Sequence, residues 1–230
     1  MQPGTARRLA ASAFLILFAI GSALGQNSGR TVRVGITAGS NWANFSRDST
    51  SSSAHRGSVG GLQFVVPVSP RFSIQAEVLY TMKGAEERVP LSEAIFSMRY
   101  LEIPVLVRVD IPAFTHLHPL LYAGPAVSFQ RACHLHAVDH DPFGSNAVQT
   151  IDRDCDQLHT ASGAPAKFNK VDGGVVAGFG LAATGWAGAS LVIAGRLDAS
   201  FGYVTENTAG DAKNRVLSLV AGLEVPLKRP

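Results

Sequence analysis

The chain is dominated by stretches in which apolar and polar residues alternate. From Leu101 to Val109 every second residue is apolar, while Glu102 and Arg108 lie on the opposite face. Strict alternation of this kind is typical of a β-strand with one apolar face. Comparable stretches occur at 32–45, 60–68, 72–83, 100–109, 119–130, 171–183, 190–204 and 215–226. No amphipathic helical pattern follows the first 25 residues, so the sequence predicts an all-β domain of eight strands.

The lengths of these strands and of their connections indicate a membrane barrel. Strands of globular proteins average about 5–6 residues, whereas a tilted strand that crosses a membrane needs about 9–11. The connections alternate between long and short along the chain: 46–59, 69–71, 85–97, 110–118, 131–170, 184–189 and 205–214. Outer-membrane barrels combine an even strand number with short periplasmic turns and longer external loops. We therefore predict an eight-stranded antiparallel up-and-down transmembrane β-barrel within 26–230, with its strands in 32–226 and a long external loop at 131–170.

The direction of the two strand faces separates a membrane barrel from a soluble one. One face gathers an equal number of acidic and basic residues: Arg33, Glu77, Lys83, Glu102, Arg108, Arg196, Asp198 and Glu224. Side chains fill the interior of an eight-stranded barrel, and balanced charges that bond to one another are tolerated there. We expect these charged residues to form a network inside the barrel, and we expect the apolar face to contact lipid. Leu106 shares the inner face, where a polar substitution is expected to be milder than on the lipid face.

Aromatic residues support the same orientation. Five of them lie on the apolar face near the loop-side ends of their strands: Trp42, Tyr80, Phe129, Phe201 and Tyr203. Aromatic girdles mark the membrane–water interfaces of barrels. The alternative is a soluble sandwich or barrel in which these residues belong to an ordinary core.

Residues 1–25 have the pattern of a secretory signal peptide. Arg7 and Arg8 precede an apolar run from Leu9 to Leu24, and small residues surround its end. The formal net charge of +3 includes these two arginines, so +1 remains for the mature chain and does not indicate nucleic-acid binding. Charged residues make up only 16% of the chain, below the roughly 25% of soluble domains. The sequence predicts export to the bacterial outer membrane through a cleaved signal peptide.

Several short runs resemble a known family. The segments 79–84, 100–106 and 122–125 read Leu-Tyr-Thr-Met-Lys-Gly, Tyr-Leu-Glu-Ile-Pro-Val-Leu and Tyr-Ala-Gly-Pro. Together with 34–41 they are similar to the outer-membrane β-barrel family of the PorT type. This resemblance covers about 32–226 and implies a small outer-membrane barrel without catalytic residues, one branch of which serves protein secretion. The chain departs from many such barrels because it does not end in an aromatic residue.

Candidate chemistry is confined to the predicted loop 131–170. It contains Cys133, His134, His136, Asp139, His140, Asp141, Asp152, Asp154, Cys155, Asp156 and His159. Cys133 and Cys155 are the only cysteines of an exported chain, so we predict that they form a disulfide. The spacing matches no zinc pattern or calcium loop, and no nucleophile elbow is present. We predict no catalytic, cofactor or metal site, with metal capture by this loop as the alternative.

The predicted function is that of a non-enzymatic integral outer-membrane protein with a structural or interaction role through its external loops. One alternative is a component of an outer-membrane secretion machinery, which only the family resemblance suggests. Another is a soluble periplasmic barrel that binds an apolar ligand. The expected partners are outer-membrane lipid and envelope or secretion proteins, with no cofactor and no nucleic acid.

Overall fold

The structure, a computed structural model, describes residues 31–46, 53–89, 92–140, 148–159, 163, 165–166, 168–202 and 213–227. The predicted signal peptide and Tyr203 lie outside these residues. The strands are β1 (Arg33–Ser46), β2 (Ser53–Pro67), β3 (Phe72–Val89), β4 (Ser92–Asp110), β5 (Leu117–His140), β6 (Val148–Asp154), β7 (Val171–Thr184), β8 (Ser190–Ser200) and β9 (Lys213–Pro226). Two single turns of 3-10 helix occur at Cys155–Gln157 and Trp186–Gly188. No described helix is long and apolar enough to cross a membrane.

Eight of these strands form a closed ring. Each strand pairs antiparallel with the next along the chain, except that β5 pairs with β7, and β9 closes the ring against β1. The pairing of β4 with β5 completes the circle. Strand β6 lies outside the ring and pairs only with the last residues of β5. The predicted eight-stranded antiparallel barrel is therefore confirmed.

Four strands extend further than predicted, all at the end opposite the short turns. β2 begins at Ser53, β3 ends at Val89, β4 begins at Ser92 and β5 ends at His140. The predicted loop 131–170 therefore contains the end of β5 and all of β6, which corrects its assignment as a loop. Beyond the membrane both faces of a hairpin meet water. Alternation of apolar and polar residues is then no longer required, although the backbone hydrogen bonds continue.

The outer surface of the ring is apolar. Its exposed side chains include Ile36, Leu62, Val107, Leu121, Phe179, Leu197, Leu217 and Leu223. Phe179 is 70% exposed and Ile36 is 61% exposed, although both belong to strands of the ring. Soluble monomers rarely expose contiguous apolar patches larger than a few hundred Å². An apolar outer band is what a membrane barrel presents to lipid.

The interior contains an apolar cluster as well as charges. Eight side chains on β4, β5, β7 and β8 pack together: Leu106, Leu120, Tyr122, Ala126, Val176, Ala182, Val192 and Ala194. Gly178 makes room for the Tyr122 ring, because a Cβ at that position would overlap the ring atoms. Leu106 is fully buried in this cluster. Gln75 of β3 lies directly opposite Leu106 on the inner face, and the expectation that a polar substitution is milder here than on the lipid face stays a prediction.

Candidate functional site

Glu102 is the centre of the charge cluster in the upper barrel, which lies toward the long hairpins. Its carboxylate accepts a hydrogen bond from Arg196 and forms an ion pair with the Lys83 Nζ at 2.6 Å. Ser128 Oγ donates to the same carboxylate at 3.3 Å. Lys83 also contacts Asp198 Oδ2 at 2.9 Å. These residues come from β3, β4, β5 and β8, so the cluster crosses the lumen and links opposite walls.

Arg108 is the centre of a second charge cluster near the short turns. Its Nη1 lies 2.5 Å from Glu224 Oε1, and its Nη2 lies 2.8 Å from Asp110 Oδ1. Arg33 is half-buried and lies 3.4 Å from the other oxygen of Glu224. Gln63 Nε2 donates to Glu224 Oε1 at 3.1 Å. The buried charges are thus held by several partners each.

Gln75 and Glu77 connect the two clusters. Arg108 Nη1 donates to Gln75 Oε1 at 3.3 Å, and Gln75 Nε2 donates to Glu77 Oε1 at 2.5 Å. Glu77 Oε2 in turn accepts from Arg196 Nη1 at 2.5 Å. A cavity of about 20 Å³ beside these residues has room for roughly one water molecule. The described interior is therefore filled along a continuous polar chain.

The alternation of the strands also places uncharged polar residues on the inner face. Gln63 and Gln75 share the inner face with the charges and were recognisable by their position in the alternation. The sequence pattern places Asp110 in the turn 110–118, yet it is the last residue of β4. Ser128 carries no charge, and only the closure of β4 against β5 places it beside Glu102.

A disulfide bond joins the two cysteines beyond the ring. Cys133 on β5 and Cys155 after β6 form a disulfide, with their Cα atoms 5.4 Å apart. The bridge joins the two strands of one hairpin where His134 lies opposite Asp154. The side chains of Asp139 and His140, and all of Asp141, lie outside the described residues.

His134 lies between two carboxylates on the outer face of this hairpin. Its Nδ1 is 3.2 Å from Asp154 Oδ1, and its Nε2 bonds Asp152. Both contacts exist together as hydrogen bonds only when both ring nitrogens carry hydrogen, so the geometry suits an imidazolium. The hydrogen bonds with Asp154 and Asp152 raise the pKa of His134 above its usual value of about 6.5. His136 is a more distant neighbour, with its Nδ1 3.9 Å from Asp152 Oδ2.

This hairpin cluster behaves as a set of ion pairs. Both nitrogens of His134 are occupied by carboxylates, which leaves none for a metal. His159 is apart from the group, since its Nδ1 contacts the carbonyl oxygen of Gln157 at 3.2 Å. Across the described residues, no group of three or more His, Cys, Asp or Glu side chains has a geometry that could hold a metal ion.

The family model of the outer membrane protein beta-barrel domain matches residues 24–206, which is most of the chain. The chain belongs to this family of outer-membrane barrels. The match does not confirm the PorT type, which stays a prediction. No curated protein matches the chain.

Solved structures of outer-membrane barrels resemble this one at low sequence identity. Ail, the attachment invasion locus protein of Yersinia pestis, is 14% identical with a TM-score of 0.43, over 85% of this chain and 99% of that one. Neisserial surface protein A is 13% identical with a TM-score of 0.44, over 84% of this chain and 97% of that one. The N-terminal β-barrel domain of Pseudomonas aeruginosa OprF is 8% identical with a TM-score of 0.34, over 86% and 99%.

Removal of the disulfide should loosen the hairpin of this outer-membrane barrel and leave its ring intact. In the chain-entropy model, a bridge over a separation of 22 residues contributes about 3 kcal/mol. A Cys133→Ser/Cys155→Ser variant should therefore exchange its β6 amide hydrogens faster than the wild type. Amides of β1 and β9 are the internal control and should be unchanged. Slow exchange of β6 in the variant would show that the bridge does not restrain the hairpin.

The hairpin should also respond to pH through His134. A raised pKa in the folded state means that the imidazolium stabilises the hairpin fully below about pH 6.5, and that this contribution is lost as the pH rises through the folded pKa. Amide exchange of β6, corrected for intrinsic rates, should therefore be faster at about pH 8 than at about pH 6. His134→Gln should abolish this dependence, whereas His136→Gln should retain it. If the His134→Gln variant showed the same pH response, another titrating group would be its cause.

Proposed function

We propose that this protein is a non-enzymatic integral protein of the bacterial outer membrane that acts by binding an envelope or external macromolecule through its extended hairpins. The observation that carries the proposal is the uneven height of the barrel. β3, β4 and β5 are 18, 19 and 24 residues long, whereas β1, β7 and β9 have 14 each and β8 has 11. One side of the ring therefore continues as a sheet beyond the membrane.

The height of this sheet supports a role in contact with other molecules. On β4 the lipid-facing apolar residues begin at Leu101, while the strand begins at Ser92. At about 3.3 Å per residue, this part of the strand is roughly 30 Å long. We call the part of the sheet formed by 85–89, 92–99, 131–140 and 148–154 the external wall. The disulfide between Cys133 and Cys155 braces it on the β6 side.

The filled interior supports a role outside the lumen. Arg108, Gln75, Glu77 and Arg196 bond across the barrel, and the cavity beside them has room for roughly one water molecule. A solute would have to break several charge-assisted bonds to pass. Purified protein in planar bilayers should accordingly show no steady ion conductance, and a stable open channel would contradict this part of the proposal.

The wall itself can be tested by shortening one hairpin. Gly84 pairs with Ser97, so replacing 85–96 by Asn-Gly joins paired residues through a favoured two-residue turn. The control replaces residues 69–71, which form the short turn at the other end of the barrel, with a different turn sequence. Both variants should fold, which a difference in gel migration between unheated and heated samples would show. In cells, chemical cross-links from the wild type to a second protein should disappear in the hairpin variant and persist in the control. Cross-links that survive the hairpin deletion would place the function elsewhere.

A further inference from the structure

Four arginines lie on the outer face of the barrel at the level of the aromatic residues. On β2, Arg56 lies directly opposite Trp42 of β1. Leu217 of β9 lies opposite Trp42 on its other side, and Arg215 is two residues above Leu217 on the same face. Both arginines are exposed. Trp42 is therefore flanked by two guanidinium groups on neighbouring strands.

The same arrangement recurs on β4 and β5. Leu101 pairs with Tyr80 on one side and Phe129 on the other. Arg99 lies two residues above Leu101 on the outward face. The register shifts between Arg99 and Tyr100, which leaves Arg131 as the additional residue of a β-bulge on β5. Arg99 and Arg131 are exposed and belong to adjacent strands, whose backbones are about 4.8 Å apart.

Among the described residues, no acidic side chain balances the positive charge at this level. Within the part of the chain that the structure describes, none of the four guanidinium groups has an ion-pair partner. The described acidic side chains lie in the interior charge network, at Asp172, which accepts from the backbone of Gly202, or at 152–156 beyond the ring. Within the described part of the chain, an anion that meets the outer face here therefore finds arginines and no carboxylate.

The neighbouring aromatics indicate the depth of these arginines in the membrane. Trp42 is 39% exposed and Tyr80 is 49% exposed on the outward face. Tryptophan and tyrosine are enriched at the level of lipid headgroups. Guanidinium groups bind phosphate oxygens in a bidentate manner, which ammonium groups do not. The position and the chemistry together match phosphate groups that lipids present at that depth.

We propose that Arg56, Arg99, Arg131 and Arg215 form a phosphate-binding collar that holds the headgroup phosphates of anionic lipids in the leaflet facing the external wall. Arg99 and Arg131 share one headgroup, while Arg56 and Arg215 hold headgroups on either side of Trp42. The collar depends on the membrane location of the barrel and not on any partner of the external wall. Lipid bound in this way anchors the barrel at a defined height and surrounds the base of the wall.

Fluorescence of Trp42 provides a direct test. The full chain with Trp186→Phe retains Trp42 as its only tryptophan. It is reconstituted in bilayers that contain either brominated phosphatidic acid or brominated phosphatidylcholine, and quenching gives the relative affinity. With the wild-type arginines, brominated phosphatidic acid should quench Trp42 more strongly than brominated phosphatidylcholine does. This preference should decrease as the salt concentration rises. Equal quenching by both lipids would overturn the proposal without the need for any arginine variant.

Arginine variants then assign the preference to the collar. Arg56→Gln/Arg215→Gln should reduce the preference for phosphatidic acid by about 25-fold, since each arginine near an anionic surface contributes about fivefold. The matched control Arg71→Gln/Arg153→Gln removes two exposed arginines outside the collar and should retain the preference. An equal loss in both double variants would attribute it to net charge and overturn the proposal. Inorganic phosphate should lower the preference no more than sodium chloride does at equal ionic strength, and displacement of the lipid by phosphate alone would assign the site to free anions instead. Gel migration of unheated samples shows in each case that the ring has assembled.

Discussion

Replacing Arg196 with methionine should lower the free energy of unfolding by about 3–5 kcal/mol. The substitution retains much of the side-chain volume but removes the guanidinium that binds Glu77 and Glu102. Both carboxylates are at most 5% exposed, so water cannot replace the lost partner. Urea unfolding in detergent micelles, followed by gel migration of unheated samples, measures the effect. Arg153→Met is the control, because Arg153 is exposed and its loss should change stability by about 0.5 kcal/mol or less.

The charge balance of the upper cluster refines this expectation. Three carboxylates, from Glu77, Glu102 and Asp198, share two cations, from Lys83 and Arg196. Glu102→Gln should therefore destabilise the barrel less than Arg196→Met, because it leaves the numbers of acidic and basic groups equal. The reverse order would show that the hydrogen bonds of Glu102, and not the charge balance, dominate the cluster. An unfolding midpoint of Arg196→Met equal to that of the control would contradict a role for the network in stability.

Val105→Arg should make the free energy of barrel assembly less favourable by about 2–4 kcal/mol, because it places a charge near the middle of the lipid-facing surface. Val105 lies midway between Leu101 and Val109 on the outward face of β4. The matched control is Val171→Arg, since Val171 lies opposite Phe129 at the aromatic level and the penalty there is about 0–1 kcal/mol. The folded fraction in outer-membrane preparations measures the difference. Equal assembly of the two variants would mean that Val105 does not face the hydrocarbon core.

For interior residues, the pattern of a single strand predicts the face of a side chain but not its neighbours. Alternation assigns Leu106 and Arg108 to the same face, and both are fully buried. Their surroundings nevertheless differ, since Leu106 packs in the apolar cluster while Arg108 bonds Glu224 and Asp110. Leu106 packs against residues of β5, β7 and β8, and Arg108 bonds Glu224 of β9, so these partners are far away in the chain. A strand pattern identifies the face of a residue but not the residues that lie across the lumen from it.

The candidate sites outside the ring were predictable to different degrees. Two cysteines in an exported chain predicted the disulfide, which the structure contains between Cys133 and Cys155. The strand β6 was not predicted, because its residues have no apolar face to bury. The pairing of His134 with Asp152 and Asp154 depends on this strand. The arginine collar has no sequence motif, since its four members are brought to one level by the register of neighbouring strands and by a bulge.

The amino-acid sequence by itself determined the eight-stranded barrel and the face of each residue within the ring. It did so because lipid on one side and a narrow interior on the other impose a period of two on every membrane-crossing strand. Only the tertiary structure decided the height of the external wall, the partners within the interior network and the level of the outer arginines. These features depend on strand register and on closure of the ring, which bring together residues more than a hundred positions apart, such as Lys83 and Asp198. Outside the membrane no comparable solvent boundary acts on the strands, so the alternating pattern is lost where β3, β4 and β5 continue into water.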